Sequence, residues 1–222
     1  MQQLAEGLWI VDRPFSLMGL RLGGRMVVVG LPDGSLLLHA PVPLGEDAAA
    51  ALRELGEVRH IVAPNLMHHL ALPEAAARFP GARVYAPPGL EKKRPELTLH
   101  PLAPGPDTPW AQVLDQLPIE GAPALRETVF FHRQSRTLIC TDLVFHFREA
   151  EGVLTRLYLR MSGALGQMAQ TRVLRAAFRD RASARASIAR VLAWDFDRVV
   201  MAHGQVVEHG GKEALRHATA WL

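Results

Sequence analysis

Short aliphatic blocks separated by turn chemistry fill the first forty positions. GLWIV (7–11), LMGLRL (17–22), RMVVVGL (25–31) and SLLLHA (35–40) are parted by DRP, GG and PDG. This pattern predicts consecutive antiparallel strands, because Gly, Pro and Asp punctuate a chain where it reverses. Helical composition begins at Gly45 with EDAAAALRELG and stops at Gly56. HIVAP follows as a strand, and PEAAARFPG as a short helix with Pro73 in its first turn, where the missing N–H costs nothing. RVYA is the next strand.

Proline is dense from Pro87 to Pro109, which predicts a long surface connection with a short strand near Leu97 to Leu99. Strands are expected at 111–118, 126–132, 136–145 and 154–158, the middle two forming a hairpin that leads into Asp142. ALGQMAQTRVLRAAF and RASARASIARVLAW carry apolar residues at helical spacing, RVVMAHG is a strand, and GGKEALRHATAWL is a closing helix. Strands, then strand–helix alternation, then more strands and helices predict an α/β (α+β) chain of two mixed sheets packed face to face with helices outside. One domain over residues 1–222 is expected.

Composition narrows the setting. Of the 222 residues 49% are hydrophobic, enough for a full core, and the longest apolar runs are strand-sized, so no membrane span is expected. The first residues lack a basic stretch followed by an apolar one, and Cys140 is the sole cysteine, so a cytoplasmic protein is expected. Charge is uneven: between Val153 and Arg190 eight arginines stand against one acid, Asp180, which makes that segment +7 and the rest of this +3 chain −4. Arginine without lysine suits bidentate gripping of carboxylate or phosphate. Arg172, Arg175 and Arg179, at spacings of three and four, would share one helical face and are the expected substrate-binding set.

Three strand ends carry chemistry: PNLMHH after HIVAP, CTD after RTLI, and AHG after RVVM. Such ends hold side chains rigidly beside a cleft. The adjacent His68 and His69 cannot face the same way in extended backbone, where the side-chain period is two; a turn is needed for both to reach one ion. Asp142 is read either as a ligand or as a loop cap, and His203 either as a ligand or as a turn residue before Gly204. Asn65 is placed to orient a ligand or to close the turn. His39 and His146 lie near enough in sequence to watch, although a core or loop role is the simpler reading of His39. Cys140 reads as a small buried hydrophobe.

The order of a strand–turn–His pair, a hairpin–Asp and a late strand–His–Gly resembles the metallo-β-lactamase-fold hydrolase superfamily over most of the chain, and more closely a bacterial branch of it of unknown function. The superfamily motif H-x-H-x-D-H falls on Pro64-Asn65-Leu66-Met67-His68-His69, its bridging aspartate on Asp142, and its final motif on His203-Gly204. The resemblance implies a four-layer αβ/βα sandwich. It also implies that the first metal site is lost, since Pro64 and Leu66 replace two histidines and the third, expected near Gly121 to Leu125, is missing. The second site remains: His69 and His203 match its histidines, Asp142 its carboxylate, and His68 stands where it uses aspartate. One divalent ion, Zn²⁺ or else Fe²⁺ or Mn²⁺, is thereby expected on His68, His69, Asp142 and His203, with His69 the surer of the adjacent pair.

Two functions follow from that expectation. The first is a metal-dependent hydrolase acting on a small anionic ester-type substrate, with Asp142 or His68 accepting the proton. The alternative is an inactive binding or scaffold protein of the same fold. A nucleic-acid partner is disfavoured because the basic segment lacks lysine and interleaved aromatics. A homo-oligomer remains open.

Overall fold

The structure is a computed structural model that describes residues 1–222. The first half contains β1 (Gln2–Ala5), β2 (Leu8–Arg13), the small hairpin β3 (Ser16–Leu17) and β4 (Leu20–Arg21), β5 (Gly24–Gly30), β6 (Ser35–His39), α1 (Glu46–Leu55), β7 (Glu57–Val62), α2 (Leu72–Arg78), β8 (Arg83–Ala86) and β9 (Leu99–Pro101). Seven of these strands form one sheet in the order β1-β2-β5-β6-β7-β8-β9, antiparallel up to β6 and parallel beyond it. The switch comes where α1 and α2 begin to connect the strands, because parallel neighbours need a crossover.

The second half supplies β10 (Leu114–Pro118), β11 (Thr128–His132), β12 (Thr137–Ile139), β13 (Phe145–His146), α3 (Val153–Ser162), β14 (Met168–Ala169), α4 (Arg172–Arg175), α5 (Arg181–Ala193), β15 (Arg198–Val200) and α6 (Gly211–Thr219). β10-β11-β12-β15 make the second sheet, with β12 and β15 parallel.

Strand alternation builds the layers. Val27, Val29 and Leu37 meet Phe130, Ile139 and Val200 in a core between the sheets. Their neighbours Met26, Val28, Leu36 and Leu38 point the other way and pack with Ala48, Leu52, Leu72 and Ala75 of α1 and α2. On the second sheet Val129, Leu138, Val199 and Met201 face outward onto Ala184, Ile188 and Val191 of α5 and Leu215 of α6. Strands apolar on both faces read as continuous hydrophobic runs for this reason. The result is the expected four-layer αβ/βα sandwich.

Four segments differ from the sequence expectation. The strand expected over 17–22 is folded back on itself as the β3–β4 hairpin, which turns at Met18 and Gly19, both at positive φ. Residues 154–158 are helical within α3, where Leu, Arg and Met are good helix formers and the left-handed Gly163 closes the last turn with its N–H on the Leu159 and Arg160 carbonyls. Residues 164–178 yield only the four-residue α4, because β14 is drawn into pairing with β13. The strand expected over 136–145 ends at Ile139, since the N–H groups of Thr141 and Asp142 go to a side chain instead of a neighbouring strand.

Candidate metal centre

The C-terminal ends of β7, β12 and β15 come together at one edge of the sandwich. β7 runs into Ala63-Pro64-Asn65, where the side chain of Asn65 organises a turn: its Oδ1 accepts the N–H groups of Met67 and His68, both at 2.8 Å. Its Nδ2 donates to Asp142 Oδ2 at 2.7 Å and to Thr141 Oγ1 at 2.9 Å. One buried amide therefore shapes the His68 turn and anchors it to the loop after β12, doing both of the things expected of it.

Asp142 is held from behind as well. Glu127, immediately before β11 and 1% exposed, accepts the N–H groups of Thr141 at 2.6 Å and Asp142 at 2.9 Å. Burial first, and then the neighbouring Asp142 carboxylate, push the Glu127 pKa up to about 7. For Asp142 burial acts in the same direction, but the charge and hydrogen bond of His68, with help from His203 and Asn65, outweigh it and hold the pKa low. His68 shows the counterpart: burial works against its proton, and Asp142 and Glu127 override it, so its pKa is raised.

His203 follows β15 and stacks with two aromatic rings, Phe145 at 5.7 Å and Phe15 at 5.9 Å between centroids. Gly204 makes the approach possible. At φ 86° it lies so close to the His146 carbonyl that an added Cβ would sit 2.0 Å from the oxygen, so only glycine fits after His203.

The three ligand-type side chains converge. His68 Nε2 is 3.2 Å from Asp142 Oδ2, His203 Nε2 is 3.8 Å from Asp142 Oδ1, and the ligand atoms of all three lie within 4.8 Å of one another. Adjacent ligands of a tetrahedral zinc ion are roughly 3.4 Å apart, so two of these spacings bracket that edge. The tautomer of His203 adds a second test of fit. Its Nδ1 is 2.6 Å from the Gly23 carbonyl, which can only accept, so Nδ1 carries the hydrogen. Burial, and then His68, lower the His203 pKa to about 4, and the neutral ring is left with a lone pair on Nε2 directed at a carboxylate. Two acceptors facing each other are suited to an intervening cation. His68, Asp142 and His203 thus form a centre able to hold one divalent ion, and three protein ligands leave room for a further one.

A family model described as "Domain of unknown function (DUF4336)" matches residues 5–169. The chain belongs to this family. Solved structures place it within the metallo-β-lactamase fold: a metallo-β-lactamase from Pontibacter korlensis matches with a TM-score of 0.68 at 15% identity, covering 99% of this chain and 96% of that one. One from Erythrobacter litoralis gives 0.67 at 18% identity over 100% and 96%, and the mono-zinc form of FIM-1 from Pseudomonas aeruginosa gives 0.65 at 13% over 99% and 94%. No curated protein matches.

In this DUF4336 chain the positions that depart from the superfamily motif have become structural. Pro64 is buried, its backbone carbonyl accepting the Thr128 N–H at 2.8 Å as any residue there could, and Leu66 packs against the core under α1 and α2. His69 does not join the centre. Arg94 donates to its Nδ1 at 3.0 Å and to its carbonyl at 3.1 Å, and burial followed by Arg94 lowers its pKa. The expectation that ranked His69 above His68 is corrected, because the turn closed by Asn65 turns only the first of the pair toward Asp142.

The arginine set is also redirected. α4 ends at Arg175, so Arg172, Arg175 and Arg179 do not share a helical face. Arg175 donates to the Gln170 carbonyl and lies 5.3 Å from the Trp221 ring centre, while Arg172 and Arg179 are exposed. His39 is a core residue edge-on to Phe130, and His146 meets the Gln205 carbonyl through Nδ1 at 3.1 Å. Cys140 is buried in the outer core of the second sheet, as expected. Glu127 escaped the sequence reading; its one signal was an acid at the head of the apolar strand TVFFH.

Proposed function

We propose that this chain is a metal-dependent hydrolase with a single-ion site on His68, Asp142 and His203. The observation that supports the reading most directly is the pair of Nε2 atoms turned onto the two oxygens of one buried carboxylate, with the other nitrogen of His203 committed to a backbone carbonyl. A divalent ion bound there would polarise a carbonyl or phosphoryl oxygen and bring a water's pKa toward neutrality.

The chain's own groups do the rest. Asn65 holds the Asp142 carboxylate through Oδ2; with Oδ1 turned toward the ion, proton acceptance falls to Oδ2 of Asp142 or to a His68 that is not itself bound to the ion. Glu127 keeps the Asp142 backbone in place but has both oxygens engaged by N–H groups, which argues for a supporting role. A cleft of about 710 Å³, of a size for a small molecule, is lined by Phe15, Gly23, Arg25 and Gly204, which adjoin His203, although His68, Asp142 and His203 themselves do not line it. Its arginines are already matched: Arg13 to Asp47, Arg21 to Glu151 and Arg25 to Asp12. With Arg175 turned to Trp221, a small ester-type substrate stays in the proposal and its anionic character loses its support.

An inactive binding protein is the second reading, favoured by the structural use of Pro64 and Leu66. Metal analysis of purified protein beside His203→Ala and His69→Ala separates the possibilities. Near one equivalent is expected in wild type and His69→Ala, with loss in His203→Ala, followed by turnover in a panel of ester, thioester and phosphodiester substrates. Less than about a tenth of an equivalent in wild type after reconstitution would sink the single-ion site. Full occupancy without turnover would favour the binding protein.

A further inference from the structure

α3 is packed inside out. A helix on a globular surface turns its apolar stripe inward, yet the buried face of α3 presents Thr155 and Ser162 beside Leu159. Thr155 is used as a polar anchor, its Oγ1 accepting the Arg21 N–H at 3.0 Å. The opposite face shows Val153 (86% exposed), Leu154, Leu157 and Met161, more than half exposed each, at the spacing of one helical stripe. The β3–β4 hairpin continues the surface with Leu17 and with Met18 at 91% exposure. The two parts are contiguous, since Leu154 Cδ2 is within 3.4 Å of where a Cβ on Gly19 would lie. Six large apolar side chains expose several hundred Å² together, more than monomers ordinarily leave open in one patch.

We propose that this face takes a second copy of the chain in a two-fold, antiparallel α3–α3 pairing. Charge selects that occupant. Arg156 and Arg160 flank the stripe along one side, and Glu149 and Glu151 lie with Arg148 at the N-terminal approach to α3, all five exposed; the 4.0 Å contact of Glu151 with the exposed Arg21 is loose enough to be exchanged for one across a docked face. Antiparallel pairing centred on Leu157 sets Val153 against Met161 of the second copy and brings Arg160 toward the acidic approach of its neighbour. The exchange occurs twice, as a two-fold contact requires. An anionic membrane surface would attract the arginines and repel Glu149 and Glu151 on the same face, whereas a second copy satisfies both signs. With its charged margin the patch approaches the ~800 Å² that each partner contributes to a standard interface.

The interface would bear on the centre described above without depending on metal there. Phe15, just before the hairpin, stacks on His203, and Gly23, just after it, accepts from His203 Nδ1. A docked copy would hold the hairpin that walls the cleft.

Sedimentation equilibrium of the full chain between about 1 and 100 μM tests the pairing, a range that brackets micromolar affinity. Wild type is expected to be a dimer. Leu157→Glu, which places two carboxylates at the axis, should weaken it at least ~100-fold with an unchanged circular dichroism spectrum and a cooperative melt that, unlike that of wild type, does not depend on protein concentration. Arg160→Glu should weaken it about tenfold, and Arg160→Glu with Glu151→Arg should restore it. A wild type that stays monomeric at 100 μM overturns the proposal, as does a folded Leu157→Glu protein that dimerises like wild type. Monomeric wild type that co-sediments with phosphatidylserine vesicles assigns the face to a membrane instead. A charge swap that fails to rescue removes the antiparallel arrangement.

Discussion

His203 turns its Nε2 toward Asp142 Oδ1 at 3.8 Å while its Nδ1 hydrogen is held by the carbonyl of Gly23, 180 positions away and just before β5 of the other sheet. The ring is thereby locked in orientation and tautomer before any ligand arrives, the role that outer-shell carbonyls play for ligating histidines. The same logic applies to Asn65 on the carboxylate side.

Asn65→Ala removes the only amide that ties the His68 turn to Asp142. Metal affinity is expected to fall roughly 10–100-fold, the usual cost of losing an outer-shell partner. Competition titration against a chromogenic chelator measures it. Affinity within twofold of wild type would show that the turn keeps its shape without Asn65.

Glu127→Ala leaves the buried N–H groups of Thr141 and Asp142 without their acceptors. A loss of about 2–4 kcal/mol is expected, since two bonds are lost to an acceptor whose pKa is raised to about 7 and which is thus partly ionised near neutral pH, neutral acceptors contributing roughly 0.5–1.5 kcal/mol per bond and charged ones roughly 1.5–3. Urea denaturation of the metal-free protein checks it, and a change below 1 kcal/mol would mean that water replaces the carboxylate freely.

His39 gives stability a pH dependence. Burial first, and then His68, lower its pKa from 6.5 to about 3, so the folded state keeps it neutral where the unfolded chain takes up a proton. Its contribution is fully present above pH 6.5 and is lost as the pH falls from 6.5 toward 3. By pH 4 the loss is on the order of 3 kcal/mol. His39→Leu should flatten the fall in urea midpoint between pH 7 and 4 relative to wild type, and parallel curves for the two proteins would exclude His39 as a source.

Gly204→Ala puts a Cβ against the His146 carbonyl in a left-handed backbone. At least ~2 kcal/mol of destabilisation is expected from the strain, together with loss of metal as His203 moves. Thermal melts and metal analysis read the two effects separately. An unchanged melting temperature would contradict the close approach.

Periodicity and turn chemistry were enough for the sandwich. Val27 to Val29, Leu36 to Leu38 and Val129 to Phe131 are apolar at every position because each strand is covered on both faces, and that is a local property of sequence. The candidate centre was legible to the same depth: Asp142 and His203 stand at strand ends, and the positions of strand ends follow from the chain alone. α3 shows the limit. Its residues alternate well enough to suggest a strand, and the glycines that bound it are ambiguous without knowledge of their backbone angles.

What the sequence determined by itself, then, was the layer order, the three strand ends and the absence of the first-site histidines at Pro64 and Leu66. Only the tertiary structure decided which of two adjacent histidines faces the carboxylate, that Glu127 supports it, and that Arg175 is turned to Trp221 and does not share a helical face with Arg172 and Arg179. The physical reason is range. Strand and helix propensities are written in neighbours a few residues apart, whereas the direction of His68 depends on Asn65 reaching Asp142 across 77 positions, and that of Arg175 is set beside Trp221, near the other end of the chain.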